Sequence, residues 1–173
     1  RSTRNSVQIV SDDWACTDTR PVTDIHWWGS YYNWQGTIPP PIAPIAFHIG
    51  IWTDIPTGGI TSFSHPGQMI WEYVASLTEL NERAEGCDYH PSQPNMDTCF
   101  VYDLQIPQSN WFYQDPAGGD QQIYWVSISA IYQDLVPPYW WGWKTRLHDL
   151  QSQHLTMRSE SRIRWPRCSA LGM

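Results

Sequence analysis

The chain has 173 residues, a length that fits one domain with a sizeable core, and it carries twelve tryptophans against four phenylalanines. The formal charge of −7 is uneven: four arginines face fifteen acidic residues up to Trp143, whereas six basic residues face two acidic ones from Lys144, the only lysine, onward. The acidic body argues against a nucleic-acid partner, and the absence of a run of eighteen apolar residues argues against a membrane span.

Six segments predict β-strands. In chain order they are TDIHWW (23–28), IAFHIGIW (45–52), QMIWEYVAS (68–76), CFVYDLQI (99–106), QIYWVSISAIY (122–132) and WGWKT (141–145). Their side chains recur with period two, as half-buried strands require, and proline- or glycine-rich stretches separate them. The pattern predicts an all-β fold, a two-sheet antiparallel β-sandwich of jelly-roll type with long Pro/Gly-rich loops. Only SLTELNERAEG (76–86) is compatible with a short helix.

The same alternation predicts which side chains point into the core. The expected interior positions are Ile25, Trp27, Ile45, Phe47, Ile49, Ile51, Trp71, Phe100, Tyr102, Leu104, Ile106, Tyr124, Val126, Ile128 and Ala130. A shift of one residue in strand phase would exchange the two faces, so burial of these positions tests the interpretation.

The last part of the chain differs in composition from the rest. Five of the nine arginines lie after residue 145, and the period-two pattern stops there. We therefore expect a single β-sandwich domain over residues 1–157 and a basic, disordered tail over 158–173 that contributes little to the fold.

Four cysteines are present, Cys16, Cys87, Cys99 and Cys168, and no two have the Cys-x-x-Cys spacing of a zinc knuckle. An even number is typical of disulfides in an oxidising compartment, with four buried thiols as the alternative. Cys87 and Cys99 flank a short loop rich in turn residues and are the favoured pair. The compartment expected on this basis is extracellular or the cell surface.

The segment SDDWACTDTRPVTDIHWWGSYY (11–32) resembles the opening of an uncharacterised family of secreted bacterial domains. The shared signature is Asp-Asp-aromatic, then Cys-Thr, then Thr-Asp-Ile-His-x-Trp-Gly-Ser. Later segments, among them FHIGIWTDIP, HPGQMIWE and FVYDLQIPQSNWFYQDP, match in order over about residues 11–146, and the tail departs from the pattern. The resemblance implies a secreted β-sandwich-like domain of unknown function and supplies no activity.

Aromatic residues are the main candidates for ligand contact. If strands 23–28 and 45–52 were neighbours, His26, Trp28, His48 and Trp52 would project from one face. Sugars pack their C–H faces on indole rings, so the expected ligand-binding residues are Trp28, Tyr31, Tyr32, Trp34, Trp52 and Trp125. The alternative is that these rings fill the space beneath long loops.

The same strand pairing would bring Asp24, His26 and His48 together as a zinc or copper site. Surface or hydrogen-bonded histidines are the alternative. A structural Ca²⁺ could be held by loop carboxylates, the candidates being Asp12, Asp13, Asp18 and Asp54; turn capping is the alternative. No other cofactor is expected.

Two catalytic arrangements deserve a structural test, although no catalytic residue is predicted. Ser62, Ser64 and His65 lie close in sequence, which is not yet triad geometry. The strand carboxylates Asp24, Glu72 and Asp103 would need to face one another in a glycosidase. The leading hypothesis is a non-catalytic extracellular domain that binds carbohydrate or a cell-surface polymer. The alternatives are a structural or adhesive surface module, and a secreted hydrolase or copper- or zinc-dependent enzyme acting on polysaccharide.

Overall fold

The computed structural model describes residues 9–16, 19–58, 61–89, 96–115, 122–133 and 136–144. The described strands are β1 Ser11–Cys16, β2 Pro21–Val22, β3 Asp24–Tyr31, β4 Ala46–Ile55, β5 His65–Ser76, β6 Leu80–Tyr89, β7 Met96–Gln105, β8 Phe112–Tyr113, β9 Gln122–Ile131 and β10 Trp141–Trp143. Single 3₁₀ turns occupy Leu77–Glu79 and Gln108–Asn110. Within these ranges no helix has the length and apolarity needed to cross a membrane.

The strands form two four-stranded antiparallel sheets. The first sheet has the order β1–β9–β4–β5, the second has the order β10–β3–β7–β6, and β2 pairs with β8 as a separate ribbon. Each four-stranded sheet buries one face against the other, and the buried apolar residues of β3, β4 and β9 recur at alternate positions. The all-β sandwich expected from the sequence is confirmed.

Aromatic rings join the two sheets at the centre of the core. Phe47 on β4 lies 5.6 Å from Trp27, 5.1 Å from Tyr102 and 4.9 Å from Trp141, measured between ring centroids. The last three residues belong to β3, β7 and β10 of the opposite sheet, and all four side chains are buried. Aromatic pairs of this kind contribute about 0.5–1.5 kcal/mol each beyond their buried area.

The predicted core is confirmed at thirteen of its fifteen positions, including Phe47, Ile49 and Leu104, which are fully buried. Two positions were wrong. Ile45 is 51% exposed because β4 begins one residue later, at Ala46. Trp71 is half-buried on β5, at the edge of the first sheet, where its Nε1 donates to the Asn110 carbonyl at 2.9 Å.

The short helix that the sequence allows over residues 76–86 does not form. The Ser76 backbone N–H and hydroxyl donate to the Glu79 carboxylate at 2.9 and 2.7 Å, which closes one 3₁₀ turn. The chain then continues as β6, in which Leu80, Glu82 and Ala84 pair with interior residues of β7. Period two over residues 80–84 therefore prevails over the helix-forming tendency of the individual residues.

The predicted pairing of Cys87 with Cys99 is not observed. The two cysteines lie on adjacent strands, with Cys87 opposite Thr98 and Cys99 opposite Gly86. Successive positions on a strand point to opposite faces of the sheet, so this register directs the two sulfur atoms apart, and no bond joins them in the structure. Residues 158–173, for which a disordered tail is expected, lie outside the described residues.

Candidate binding cleft

The edge of the second sheet is the β3–β10 pair, whose packing depends on the glycine at position 29. Gly29 on β3 pairs with Trp143, and a Cβ atom on Gly29 would lie only 2.3 Å from Trp141 Nε1. The absence of that atom lets the Trp141 indole cross β3 into the core. There its Nε1 donates to the Tyr102 hydroxyl at 3.1 Å.

A tight turn follows β3 and fixes the neighbouring side chains. Asn33 has a φ of 61°, a left-handed conformation that asparagine tolerates better than most residues. Its backbone N–H donates to Asp97 Oδ1 at 2.8 Å. The Tyr32 N–H donates to the Trp140 carbonyl at 2.8 Å, which extends the β3–β10 ladder and holds Tyr32 beside Trp140.

A cleft of about 400 Å³ opens at this end of the second sheet. Its described lining consists of Ser30, Tyr32, Asp97, Trp140, Trp141, Gly142, Trp143 and Lys144. The lining thus combines three aromatic residues that are not fully buried, Tyr32, Trp140 and Trp143, with a hydroxyl, a carboxylate and the only lysine of the chain. The Trp141 side chain is fully buried in the core. Concave sites with apolar walls and a few polar groups are the usual form of a small-ligand site.

Gly142 contributes open space to the cleft. It lies opposite Ser30 in the β3–β10 pair, and a Cβ atom built on Gly142 would meet no other atom within 4 Å. Directly opposite residues point to the same face of the sheet, so a side chain at position 142 would project beside Ser30.

Tyr32 is the predicted ligand-binding residue that lines the cleft, and its side chain is 41% exposed. Trp28 lies near the cleft: its carbonyl accepts the Lys144 N–H at 2.9 Å, and its Nε1 donates to Glu85 Oε2 at 2.9 Å. Tyr31, also predicted to bind a ligand, is fully buried and is not part of the described cleft lining.

Trp34 is packed within its own loop. Its Nε1 donates to the Ile38 carbonyl at 2.8 Å, and its ring lies 4.9 Å from that of Tyr139. The half-buried indole therefore stabilises the loop that follows β3.

Trp52 and Trp125 are direct neighbours across the β4–β9 pair of the first sheet. Trp52 Nε1 donates to Ser127 Oγ at 2.9 Å, and Trp125 Nε1 donates to Asp54 Oδ1 at 2.7 Å. These two indoles lie on the other sheet from Trp28 and Tyr32, so the six predicted ligand-binding residues do not form one platform.

The predicted metal ligands are not brought together. β3 and β4 belong to different sheets, which overturns the pairing on which the set of Asp24, His26 and His48 depended. His26 lies between two carboxylates, with Asp103 Oδ1 2.5 Å from Nδ1 and Asp24 Oδ2 2.8 Å from Nε2, whereas His48 lies 2.8 Å from Glu72 on the first sheet. Within the described ranges, no group of three His, Cys, Asp or Glu side chains is arranged to hold a metal ion.

Asp103 is the centre of the cluster around His26. Burial raises the pKa of Asp103, but hydrogen bonds from His26 and Arg83 outweigh burial and hold it below its usual range. Three carboxylates were considered for a glycosidase. Asp24 and Asp103 both contact the His26 imidazole, whereas Glu72 lies on β5 of the other sheet, so the three do not face one another.

The remaining sequence candidates are held by local contacts. The Ser64 hydroxyl donates to Asp54 Oδ1 at 2.5 Å, whereas His65 Nδ1 lies 3.2 Å from Thr61 Oγ1, so no Ser64–His65 pair is observed. For the proposed Ca²⁺ ligands, Asp54 already accepts from Ser64 and Trp125, and Asp18 lies outside the described residues. Asp12 Oδ1 accepts the Asp13 N–H at 3.0 Å.

A buried polar network adjoins the cleft. Glu82 Oε1 accepts hydrogen bonds from the Tyr31 hydroxyl at 2.9 Å and from the Tyr102 hydroxyl at 2.8 Å, and Tyr102 in turn accepts from Trp141. Burial raises the pKa of Glu82, although its two tyrosine partners oppose that effect. Sequence reasoning missed Glu82 because residues 76–86 were not recognised as containing a strand.

Sequence reasoning also missed most of the cleft lining. Trp140, Gly142, Trp143 and Lys144 all belong to the stretch YWWGWK (139–144), in which aromatic residues surround a glycine and precede the only lysine. YWWGWK resembles WWGSYY (27–32), and this similarity was the available sign that the two stretches belong together. β3 and β10 do pair through them.

Fold and cleft together define a two-sheet all-β domain with an aromatic-lined surface cleft. The chain belongs to the family described as "Domain of unknown function (DUF7901)", whose model matches residues 1–170. This match extends beyond residue 146, where the resemblance was expected to end, and includes most of the predicted tail. No curated protein and no solved structure matches the chain.

Proposed function

We propose that this chain is a non-catalytic carbohydrate-binding domain and that the cleft between β3 and β10 is its binding site. The observation that carries the proposal is the 400 Å³ cleft lined by Tyr32, Trp140 and Trp143. Aromatic rings offer flat apolar surfaces to the C–H faces of sugars, and polar groups beside them accept or donate hydrogen bonds to hydroxyls.

The polar groups of the cleft suit this ligand class. Ser30, Asp97 and Lys144 lie among the aromatic residues and place donors and acceptors close to apolar surface. Sugars present the same mixture of apolar C–H faces and hydroxyl groups on each ring. The proposed ligand is therefore a glycan, either free or on a cell surface, and the proposed location is extracellular.

The location has independent support in the sequence. The even number of cysteines and the resemblance to secreted bacterial domains both favour an oxidising, extracellular compartment.

A glycan array tests the proposal, with three variants compared at matched concentration. Gly142→Leu fills the cleft with a side chain that meets no protein atom at its Cβ position, and Gly142 does not have a positive φ. Tyr32→Ala removes one aromatic wall. Tyr113→Ala is the matched control, because Tyr113 is a 64% exposed aromatic residue on β8 that does not line the cleft.

Gly142→Leu is expected to abolish glycan binding, and Tyr32→Ala to weaken it by about tenfold, which corresponds to about 1.4 kcal/mol. Tyr113→Ala is expected to bind as the wild type does. Binding that survives Gly142→Leu, or the absence of binding to every glycan tested, would refute the proposal.

A structural or adhesive module is a second candidate, favoured by the edge strand β5. Met69, Ile70 and Val74 on this strand are 36%, 43% and 46% exposed, and one exposed charged residue, Glu72, lies among them. An apolar edge strand can pair with another chain. Sedimentation of the wild type and of Val74→Lys tests this candidate, which predicts self-association of the wild type alone.

A metal-dependent enzyme has less support. His26 and His48 belong to opposite sheets and each contacts carboxylates within its own sheet. Metal analysis of the purified protein, together with a His26→Ala variant, tests this third candidate directly.

A further inference from the structure

We infer that Glu82 regulates the cleft: its protonation weakens the hydrogen-bond chain from Glu82 through Tyr102 to Trp141 and so lowers ligand affinity at acidic pH. The inference extends the proposed function, since it concerns regulation of the same cleft. Glu82 would act as a positioning residue, because it reaches the cleft only through other side chains.

The chain of contacts is continuous. Glu82 Oε1 accepts from the Tyr102 hydroxyl at 2.8 Å, and the Tyr102 oxygen accepts from Trp141 Nε1 at 3.1 Å. Trp141 is fully buried, and its strand β10 also carries Gly142 and Trp143, which line the cleft. One carboxylate is thus connected through two hydrogen bonds to the strand that forms one side of the cleft.

Protonation changes the strength of both bonds. Hydrogen bonds to an ionised carboxylate are roughly twice as strong as neutral ones. A tyrosine hydroxyl that donates to a carboxylate is also polarised and becomes a better acceptor for the next donor. When Glu82 takes up a proton, the Tyr102 bond therefore weakens, and the bond that orients Trp141 weakens with it.

Gly29 makes Trp141 sensitive to this change. The indole lies over the space that a Gly29 Cβ atom would occupy, so no side chain at position 29 supports it from that side. Its orientation depends on Tyr102 and on ring contacts with Phe47, whose centroid lies 4.9 Å away.

The groups that face Glu82 keep their charge state over the relevant range. Tyr31 on β3, Tyr102 on β7 and Tyr132 after β9 interact with Glu82, and burial raises the pKa of each above that of free tyrosine. These three tyrosines stay neutral from acidic to neutral pH. Glu82 is the group among them that titrates in this range, and burial raises its pKa. Phe47 on β4 and Trp141 on β10, which contact Tyr102, do not titrate.

Indole ¹⁵N–¹H NMR spectra of the full chain across acidic to neutral pH test the inference without a ligand. The Trp141 resonance, assigned with Trp141→Phe, is expected to shift with a midpoint above about 4.3, the value of an unperturbed glutamate. In Glu82→Gln and in Tyr102→Phe this shift is expected to disappear. The inference is overturned if the Trp141 resonance shifts equally in Glu82→Gln, as titration of Asp97 in the cleft would produce. It is also overturned if the wild-type resonance does not respond to pH.

Affinity for the glycan that binds most tightly on the array at pH 7.5 provides the second measurement. Wild-type affinity is expected to fall severalfold at pH 4, below the pKa of an unperturbed glutamate, and that of Glu82→Gln to change less. Equal loss in both proteins would contradict the regulatory role. If no glycan binds while the Trp141 resonance still follows Glu82, the proposed function fails and the coupling within the protein stands.

Discussion

A methyl group added at Gly29 is expected to destabilise the protein strongly. The Cβ atom of Gly29→Ala would lie 2.3, 2.5 and 2.6 Å from Trp141 Nε1, Cε2 and Cζ2. These distances are far below van der Waals contact, so the buried indole must move. The neighbours that limit its movement are the rings of Phe47 and Tyr102, at 4.9 and 6.1 Å.

The expected loss in the free energy of unfolding of Gly29→Ala is the sum of three contributions. Overpacking a well-packed core costs about 1–3 kcal/mol. Displacing Trp141 Nε1 from the Tyr102 hydroxyl leaves a buried donor unsatisfied, which costs about 1–3 kcal/mol. Replacing glycine by alanine stabilises by about 0.4–1 kcal/mol through the unfolded state. Together, these values predict a net loss of about 3 kcal/mol for Gly29→Ala, within limits of about 1 and 6 kcal/mol.

Urea denaturation of Gly29→Ala measures this loss, and Gly142→Ala is the matched control. Gly142 lies on the adjacent strand β10, and its Cβ atom would meet nothing within 4 Å. The control is expected to gain about 0.4–1 kcal/mol. Both variants should keep the wild-type dependence of the free energy of unfolding on urea concentration. Equal stabilities of the two variants would show that Trp141 does not occupy the space above Gly29.

Three further predictions concern the core, the buried carboxylate and the C-terminal segment. Ile49→Ala is expected to lower the free energy of unfolding by about 2–5 kcal/mol in urea denaturation, and a loss below about 0.5 kcal/mol would contradict its burial. Because burial raises the folded-state pKa of Glu82, its contribution to stability is present below the unfolded value, about 4.3, and is lost as pH rises through the folded value. The urea midpoint of the wild type relative to Glu82→Gln should therefore fall from acidic to neutral pH, and a constant difference would refute this. Deletion of residues 158–173 is expected to keep the thermal midpoint within a few degrees, whereas collapse of the fold would show that this segment completes the domain.

Much of the fold could be predicted because apolar residues alternate along the central strands and so mark the buried face. In β9, Tyr124, Val126, Ile128 and Ala130 alternate with other residues, and all four are buried. Side chains alternate across a strand for a local geometric reason, so the buried face can be assigned without knowledge of the partner strand.

The candidate site could not be predicted in the same way. Alternation of side chains along a strand does not indicate which strands pair. The metal site predicted from Asp24, His26 and His48 required β3 and β4 to be neighbours, but these strands lie in different sheets. The cleft depends on β3 meeting β10, which are separated by more than a hundred residues in sequence. Tyr32 and Trp140 become neighbours only through that pairing.

By itself, the sequence of this protein determined the all-β class, the sandwich and most of its core, because these depend on local periodicity and on the number of apolar residues available for burial. Tyr31, Phe112 and Trp141 belong to the core but were not among the predicted interior positions. Only the tertiary structure decided which aromatic residues are buried and which line a cleft. Tyr31 and Tyr32 are consecutive aromatic residues, yet the first is fully buried and the second is 41% exposed. The connection of Glu82 to the cleft likewise requires all four strands of the second sheet in register, an arrangement set by long-range pairing between strands.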